Sequence, residues 1–481
     1  MPHEQPNDMH PNILFIMSDE HDPGVTGCYG EPVVETPNID RLARQGILFD
    51  SCYTTSPLCV PARLSFTAGK YISRCSAWSN NCWLPSADYP SIARVLQSAG
   101  YETYLCGKQH YDEKRRYGFT DILPEIHSNR SRKTGRFGRR DADNTEPYYK
   151  SWLERSGEFY DGDKSRILDH DRAVTGRACR FLDRWSGSSP PFFLFVGHLA
   201  PHFPLVVPEE IHAKYRDRVP MPEIPEGFLE GLPLNYKQLR YGFGLTDCDP
   251  AVVKEGRELY WALTDWYDAR IGQILDALDN SECADNTVVI YTSDHGENKG
   301  DHGLWWKNNM YEHSVRIPLI VRWPERWAPG QRRTQACSLV DVVQTLAGLA
   351  GAECPDDWNG DSMLPWLDDP GYEWKDCAVS EYYAHNISSG FAMLRTGPWK
   401  YVYHTAADEN HPGEPELYNL ENDPGEFSNA ASDPAHAERI RAMHTMLVEE
   451  LGEDPEKTEK RCRSEIARGY SRNVPAHCRA R

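Results

Sequence analysis

The chain has 481 residues, of which 40% are hydrophobic and 26% are charged, so it is long enough for two domains and has the composition of a folded globular protein. Its formal charge of −20 argues against nucleic acid or an anionic membrane as a partner. An anionic substrate would therefore need a local pocket of basic side chains to overcome the field of the whole molecule.

The N-terminal stretch and the cysteines both bear on the compartment. The first apolar run, at residues 13–17, is short and leads directly into acidic residues, unlike a secretory leader or a membrane span. The fourteen cysteines lack the paired spacing of a disulfide framework or a zinc site, which favours reduced thiols. We therefore expect a cytoplasmic protein without a membrane partner, or a periplasmic one if a leader has been removed.

Short apolar runs alternate with helical patterns along the chain. The runs at residues 12–17, 102–106, 191–197 and 287–292 are almost continuously apolar, as expected for parallel strands buried on both faces. Residues 36–46, 91–100 and 258–279 carry the periodicity or end signals of helices. Repeated strand and helix predict an α/β fold with a mostly parallel sheet flanked by helices.

The remaining segments suggest how the chain is divided. Residues 112–170 are polar and contain a basic cluster at 130–140, which predicts a long solvated excursion from the sheet. We predict a catalytic domain over residues 1–355 and a small C-terminal domain over 356–454, an antiparallel sheet with one helix. The basic tail, 455–481, is predicted to be a frayed end or an arm in an oligomer.

Polar side chains follow each of the four predicted strands. Because the carboxyl ends of parallel strands meet at one edge of a sheet, where ligands bind, these side chains are expected to share that edge. They are Asp19 and Glu20, Lys108 and His110, His198 and His202, and Asp294 and His295. The three carboxylates Asp19, Glu20 and Asp294, with the imidazole of His295, suit Ca²⁺, Mg²⁺ or Mn²⁺.

Basic side chains accompany this predicted metal site. Lys108, Arg63 and Lys307, with His110 and His202, would supply the positive pocket that the acidic chain requires for an anion. A metal beside such a pocket is typical of the transfer of a tetrahedral oxyanion such as sulfate or phosphate.

Cys59 lies at the start of a predicted helix in the stretch SPLCVPARLSFTAGKY, residues 56–71. The helix dipole and the free N–H groups favour a thiolate there, although most single cysteines are inert and buried. Cys59, Pro61 and Arg63, with Gly69 ten residues after the cysteine, resemble the signature of the type I sulfatases of the alkaline phosphatase superfamily. Residues 11–53, 107–110, 198–205 and 293–321 are similar to that family in the same order, and 395–429 to its second domain.

The resemblance implies an alkaline-phosphatase-like α/β fold and hydrolysis of sulfate monoesters. Cys59 would be converted to formylglycine by a formylglycine-generating enzyme, and its hydrate would attack sulfur to form a covalent sulfate ester. The residues matching one divalent metal are Asp19, Glu20, Cys59, Asp294 and His295, with calcium expected and manganese or magnesium as alternatives. Arg63 and Lys108 match residues that hold the modified side chain, His110 the base that breaks the intermediate, and His202 and Lys307 the groups on the sulfate and the leaving oxygen.

Several departures from the family pattern keep alternatives open. Ala62 replaces the usual serine and Glu20 the commoner aspartate, while His295 resembles the choline-sulfatase-like and phosphonate monoester hydrolase branch. A phosphonate monoester or phosphodiester hydrolase with the same nucleophile is the first alternative. A non-catalytic metal-binding or anion-binding protein with an unmodified Cys59 is the second. The alcohol part of the substrate, a small molecule or a saccharide, and a homo-oligomeric state also stay open.

Overall fold

The fold is taken from a computed structural model and is described for residues 10–111, 115–125, 138–147, 165–186 and 189–467. Within these residues the large sheet contains nine strands. They are β1 (Asn12–Asp19), β2 (Ile47–Tyr53), β3 (Glu102–Gly107), β4 (Thr120–Leu123), β5 (Phe192–Pro201), β6 (Thr287–Ser293), β7 (Arg316–Arg322), β8 (Gln331–Arg333) and β9 (Cys337–Ser338).

The order of strands in this sheet is β4-β3-β5-β1-β6-β7-β2-β8, and β9 pairs with β2. The five strands from β4 to β6 are parallel, whereas β7 is antiparallel to both of its neighbours, β6 and β2. Consequently β2 runs in the same direction as β6. The C-terminal ends of β1, β2, β3, β5 and β6 therefore reach the same edge of the sheet.

Helices cover both faces of the sheet. They are α1 (Pro37–Gln45), α2 (Cys59–Ala68), α3 (Ile72–Cys75), α4 (Ile92–Ser98), α5 (Arg166–Arg184), α6 (Glu209–Tyr215), α7 (Leu234–Phe243), α8 (Pro250–Asp279), α9 (Glu312–Val315), α10 (Leu339–Leu349) and α11 (Leu364–Asp368). Alternate residues of β1 enter two separate cores: Leu14 and Ile16 pack towards α5 and α8, and Ile13 and Phe15 towards α2, α4 and α10. Burial on both faces explains why the strand is apolar at every position from Ile13 to Met17.

The second sheet contains β10 (Cys377–Tyr382), β11 (Phe391–Thr396), β12 (Trp399–His404) and β13 (Glu414–Asn419). It is antiparallel in that order, and α12 (Ala437–Leu451) packs against it. The last described helix is α13 (Pro455–Ala467). Mixed α/β architecture with a smaller antiparallel sheet near the C-terminus is thus confirmed.

Some expectations differ in detail from the structure. The helix predicted at 258–279 begins at Pro250. In the predicted antiparallel sheet, residues 391–404 form two strands joined through Gly397, whose φ of +50° suits a turn glycine. Residues 455–467 of the predicted tail form a helix with Cys462 fully buried, because an amphipathic segment gains by packing. Its remaining residues lie outside the described part of the chain.

The predicted excursion is described only in part. Residues 115–125 contain β4, and the segment 138–147 contains Arg140, which is buried and donates to Gln238 of α7 at 2.6 Å. Arg139, the other described arginine of the basic cluster, donates to Glu459 at 2.8 Å, so both arginines have partners within the protein. Most of residues 112–164 lie outside the described part of the chain. The domain boundary at residues 355 and 356 stays a prediction.

Two further observations concern the cysteines and membranes. Thirteen cysteines lie in the described residues, and no disulfide joins any two of them there. Within the same residues, each helix is either too short or too polar to span a membrane.

Candidate active site

Two strand ends bring acidic side chains together. Asp19 is the last residue of β1 and Glu20 follows it, while Asp294 and His295 follow the neighbouring strand β6, and all four are fully buried. The main-chain N–H of Glu20 donates to Asp294 at 3.2 Å, which links the two ends. Glu20 has a positive φ of 65°, a conformation that non-glycine residues adopt at a cost and that clusters at functional sites.

Cys59 reaches the same point from α2, as the first residue of that helix. Its Sγ lies 3.0 Å from Nε2 of His295 and 3.7 Å from Oδ1 of Asp19, and the residue is 2% exposed. Burial raises the pKa of the thiol, and the negative charge of Asp19 adds to this, while Lys307 and Lys108 oppose it. The unmodified thiol is therefore neutral at neutral pH, despite the helix dipole.

The end of α2 requires a glycine. Gly69 has a φ of +64° and a Cβ there would lie 2.3 Å from the ring of Trp358. A left-handed residue without a side chain both stops the helix and lets the indole pack against it. Gly69 thus has a structural role in the motif that contains Cys59.

Arg63, one turn after Cys59, is fully buried and connects three strand ends. Its guanidinium donates to Asp294 (2.7 Å), Asp19 (3.2 Å), the carbonyl oxygens of Lys108 (2.9 Å) and Ser18 (3.2 Å), and the side chain of Gln109 (3.3 Å). The planar fork of arginine suits such divided contacts. Arg63 therefore sets the spacing between the residues that follow β1, β3 and β6.

Lys108 follows β3, and its ammonium group pairs with Asp19. Burial alone would raise the pKa of Asp19, but the charges of Lys108, His202 and Arg63 hold it well below its usual range. Asp19 is consequently an anion at neutral pH. Burial lowers the pKa of His295 to about 4, so that its imidazole is neutral and has a lone pair for a metal.

Lys307 and His202 lie on the other side of Glu20. Lys307 Nζ is 2.7 Å and His202 Nε2 is 3.1 Å from Oε2 of Glu20. Burial raises the pKa of Glu20 well above its usual range, because Lys307 offsets only part of this effect and Glu297 adds to it. The ring of Phe203 stacks on His202 at 4.2 Å, with Lys307 Nζ 5.2 Å from its centre.

His110 follows β3 and lies beside a residue that sequence reasoning missed. Glu125, after β4, accepts hydrogen bonds from the main-chain N–H groups of Gln109 (3.1 Å) and His110 (2.7 Å). Its Oε1 lies 3.5 Å from Nε2 of His110. Glu125 follows a four-residue strand inside the polar excursion, where the sequence contains no periodic signal that would identify it.

His198 does not join this cluster. Its Nε2 lies 3.2 Å from the hydroxyl of Thr175 on α5, and its ring packs against Tyr267 of α8. The expectation that every polar residue after the strands would share the edge is therefore wrong for His198. It lies within β5 itself, where its side chain enters the core beneath the helices.

The residues present fit a metal ion. Asp19, Cys59, Asp294 and His295 each offer one ligand atom, and these atoms lie within 4.8 Å of one another. Asp19, Glu20 and His202 form an adjoining set of the same kind. Oε1 of Glu20 is buried and accepts no hydrogen bond from the described residues. Carboxylates with an imidazole beside two lysines can hold a cation and an anion next to each other.

Comparisons with known proteins agree with this chemistry. The Sulfatase family model matches residues 11–352, and the model for the C-terminal part of N-sulphoglucosamine sulphohydrolase matches residues 300–453. The uncharacterized sulfatase YidJ of Escherichia coli is 30% identical, over 91% of this chain and 86% of its own. Choline-sulfatase of Rhizobium meliloti is also 30% identical, over 88% and 83%.

Solved structures share the fold. Phosphonate monoester hydrolase of Agrobacterium radiobacter superposes with a TM-score of 0.74 at 23% identity, covering 92% of this chain and 95% of that one. A structure in complex with its substrate D-glucosamine-2-N,6-O-disulfate has a TM-score of 0.72 at 23% identity, covering 93% and 99%. At this level of identity the superpositions establish the architecture alone.

Proposed function

The chain belongs to the sulfatase family and is a sulfuric ester hydrolase, and on that premise we propose that Cys59, converted to formylglycine, is its nucleophile. The observation that carries the proposal is the meeting of Cys59 with Asp19, Asp294 and His295 at one buried point. The substrates are sulfate monoesters of small molecules or saccharides. The disulfated glucosamine named for one structural relative supports the saccharide class.

A divalent ion completes the proposed site. Asp19, Asp294, His295 and the modified residue 59 would hold it, with Oε1 of Glu20 as a further ligand. Calcium is the expected ion, and the imidazole ligand keeps manganese and magnesium as alternatives. When bound, such an ion would favour ionisation of a neighbouring hydroxyl and offset negative charge on the ester.

In the first half of the reaction, one hydroxyl of the formylglycine hydrate gives its proton to solvent, and the resulting oxyanion attacks sulfur. The bond from sulfur to the ester oxygen breaks, and its electron pair leaves with the alcohol oxygen. Lys307 or His202, adjacent to each other around Glu20, protonates that oxygen. Arg63 and Lys108 hold Asp19 and the strand ends in place during this step.

In the second half, the remaining hydroxyl of residue 59 loses its proton to His110. Its electron pair forms the aldehyde double bond, and the bond between this carbon and the sulfate oxygen breaks, so sulfate leaves with that pair. Water then adds to the aldehyde and restores the hydrate. A cysteine thiolate could not complete this cycle, because it has no second hydroxyl.

Peptide mass spectrometry and kinetics test the proposal together. The protein is produced with a formylglycine-generating enzyme, and the peptide containing residue 59 should be lighter by about 18 Da, because sulfur is exchanged for oxygen and two hydrogens are lost. Hydrolysis of an aryl sulfate should accompany this change and disappear in Cys59→Ala. Fully converted protein that hydrolyses neither sulfate nor phosphonate esters would overturn the proposal.

The first alternative is a phosphonate monoester or phosphodiester hydrolase that uses the same side chains. Comparison of kcat/KM for a phenyl sulfate, a phenyl phosphonate monoester and a phosphodiester decides between them. A higher value for the phosphonate would reverse the substrate assignment and leave the nucleophile unchanged.

A further inference from the structure

We propose that Glu125 is the positioning residue for His110, and that it acts on the release of sulfate rather than on the cleavage of the ester. This inference rests on the proposed function, in which His110 takes a proton from the sulfated intermediate. Glu125 does not touch substrate in this scheme. Its effect passes through the imidazole.

The sheet places the two residues side by side. β3 and β4 are parallel neighbours, with Cys106 of β3 opposite Leu123 of β4. Both strands therefore end at the same edge, and His110 and Glu125 emerge there a few residues beyond. The left-handed backbone of His110, with a φ of 59°, turns the chain at this point.

The carboxylate of Glu125 is fixed on one side and available on the other. Its Oε2 accepts both main-chain N–H groups of Gln109 and His110, which holds the carboxylate in one orientation. Its Oε1 is buried, accepts no hydrogen bond from the described residues, and lies 3.5 Å from Nε2 of His110. An orphaned oxygen at this distance closes to a hydrogen bond when the ring becomes cationic.

This arrangement explains how Glu125 would direct the proton transfer. A carboxylate facing Nε2 favours the tautomer with its proton on that nitrogen, which leaves the lone pair on Nδ1 to accept a proton. It then stabilises the imidazolium that results. Burial raises the pKa of Glu125 to about 7, although the cations Lys108 and Arg63 lower it in part, so the carboxylate form that acts in this scheme predominates above that pH. Arg116 and Asp121 line the small cavity next to Glu125.

The proposal makes a specific kinetic prediction. The ratio kcat/KM reports only the steps up to release of the alcohol, whereas kcat also includes release of sulfate. Slowing the second half alone lowers kcat and KM by the same factor and leaves kcat/KM unchanged. It also produces a burst of alcohol equal to the amount of active enzyme.

Glu125→Gln is the test, because the amide oxygen can still accept the two main-chain hydrogen bonds. On an aryl sulfate, kcat and KM should both fall about 10- to 100-fold. This is less than the full rate enhancement of a positioned general base, because His110 itself is still present. A burst of one equivalent of phenol should appear. The same substitution in a His110→Ala background should change kcat by less than about twofold, since residues that act as a unit are not additive.

Asp121→Asn is the matched control. It also exchanges a carboxylate for an amide next to the same cavity, but Asp121 pairs with Arg116 rather than with His110. Its kinetics should match the unaltered enzyme. A lower kcat/KM without a burst in Glu125→Gln, or unchanged constants, would overturn the proposal. If Glu125→Gln is recovered unfolded, Glu125→Asp takes its place, because the shorter side chain keeps the negative charge but moves it away from His110. It is judged by the same changes in kcat and KM and by the same burst.

Failure of the proposed function gives a different result. If the unaltered enzyme prefers a phosphonate monoester, the substrate assignment fails. The role of Glu125 is then tested on that ester, by the same burst and the same parallel fall of kcat and KM. If the unaltered enzyme cleaves no ester at all, the function fails before any variant is compared.

Discussion

Arg63 has no exposed surface, and its guanidinium is shared among oxygen atoms from three strand ends. Two of its partners are the carboxylates of Asp19 and Asp294, which would repel each other without it. A buried cation with this many contacts costs solvation energy that the contacts must offset. Its value lies in the geometry that it imposes on the site.

Replacing Arg63 by lysine tests whether the contacts of the guanidinium, rather than its charge alone, stabilise the site. Arg63→Lys keeps the charge but cannot reach all the acceptors, so the free energy of unfolding should fall by about 3 kcal/mol, as when a buried pair is broken. Chemical denaturation measures it. Arg332→Lys is the control, because Arg332 pairs with Asp50 at the surface and should change stability by less than about 1 kcal/mol. Equal effects of the two substitutions would contradict this reading of Arg63.

Lys307 leads to a prediction about the leaving group. If its ammonium protonates the departing oxygen, Lys307→Ala should lower kcat/KM by about 10²–10⁴-fold on esters of simple alcohols. Nitrophenyl sulfate, whose leaving group needs no proton, should lose far less. A series of aryl and alkyl sulfates measures the dependence. A uniform loss across the series would instead indicate that Lys307 only binds the sulfate group.

At the scale of elements, α13 links residues 138–147 of the polar excursion to the second sheet. Glu459 of α13 binds Arg139 through both oxygens, at 2.8 and 3.0 Å, and accepts the N–H of Gly390 at 3.0 Å. Trp78, next to α3, donates to Glu465 of the same helix at 2.6 Å. The helix thus joins parts of the chain that are distant in sequence.

Glu459→Ala should therefore destabilise the protein strongly. It would remove both carboxylate contacts from the guanidinium of Arg139, a mostly buried group that still donates to the carbonyl oxygen of Tyr383, at a cost of about 3 kcal/mol in the free energy of unfolding. Thermal and chemical unfolding measure the loss. Glu209→Ala removes an exposed partner of Arg216 and should have an effect below about 1 kcal/mol. A small change for Glu459→Ala would mean that α13 is not held by this pair.

A buried carboxyl in β10 makes stability depend on pH. Burial raises the pKa of Glu381 from 4.5 to about 7, although its hydrogen bond from the N–H of Ser73 at 3.2 Å lowers it in part. The folded state holds this proton more tightly than the unfolded state, so Glu381 reduces stability as pH rises from about 4.5 to 7.

Glu381→Gln cannot lose a proton and should escape this effect. Relative to the unaltered protein, the variant should gain up to about 3 kcal/mol as pH rises from 4.5 to 8, since one pKa unit equals 1.36 kcal/mol. Urea unfolding at several pH values measures the difference. A difference in stability that does not vary with pH would show that Glu381 ionises normally.

For the whole molecule, the proposed ion should couple activity to stability. A ligand that binds only the folded state adds about 2.7 kcal/mol at a hundred times its Kd. Calcium or manganese, added to chelator-treated protein, should raise Tm by a few degrees and restore hydrolysis. Asp294→Asn should weaken both responses, because it removes one charged ligand. Unchanged Tm and activity with every divalent ion tested would contradict a resident metal.

The sequence alone determined much of the architecture and part of the site. Runs that are almost continuously apolar predict parallel strands buried on both faces, and the strands that begin at 12, 102, 192 and 287 are parallel members of one sheet. Their polar ends predicted where Asp19, Lys108 and Asp294 would meet, because parallel strands end at one edge. These signals are local, so a sequence contains them in full.

Only the tertiary structure decided which side chains pair within that edge. Glu20 contacts Lys307 and His202, His198 turns into the core, and Glu125 reaches His110 from a short strand in a polar segment. Such contacts depend on strand order, register and the path of the intervening chain, and partners nearly 290 residues apart, such as Glu20 and Lys307, leave no periodic trace in the sequence.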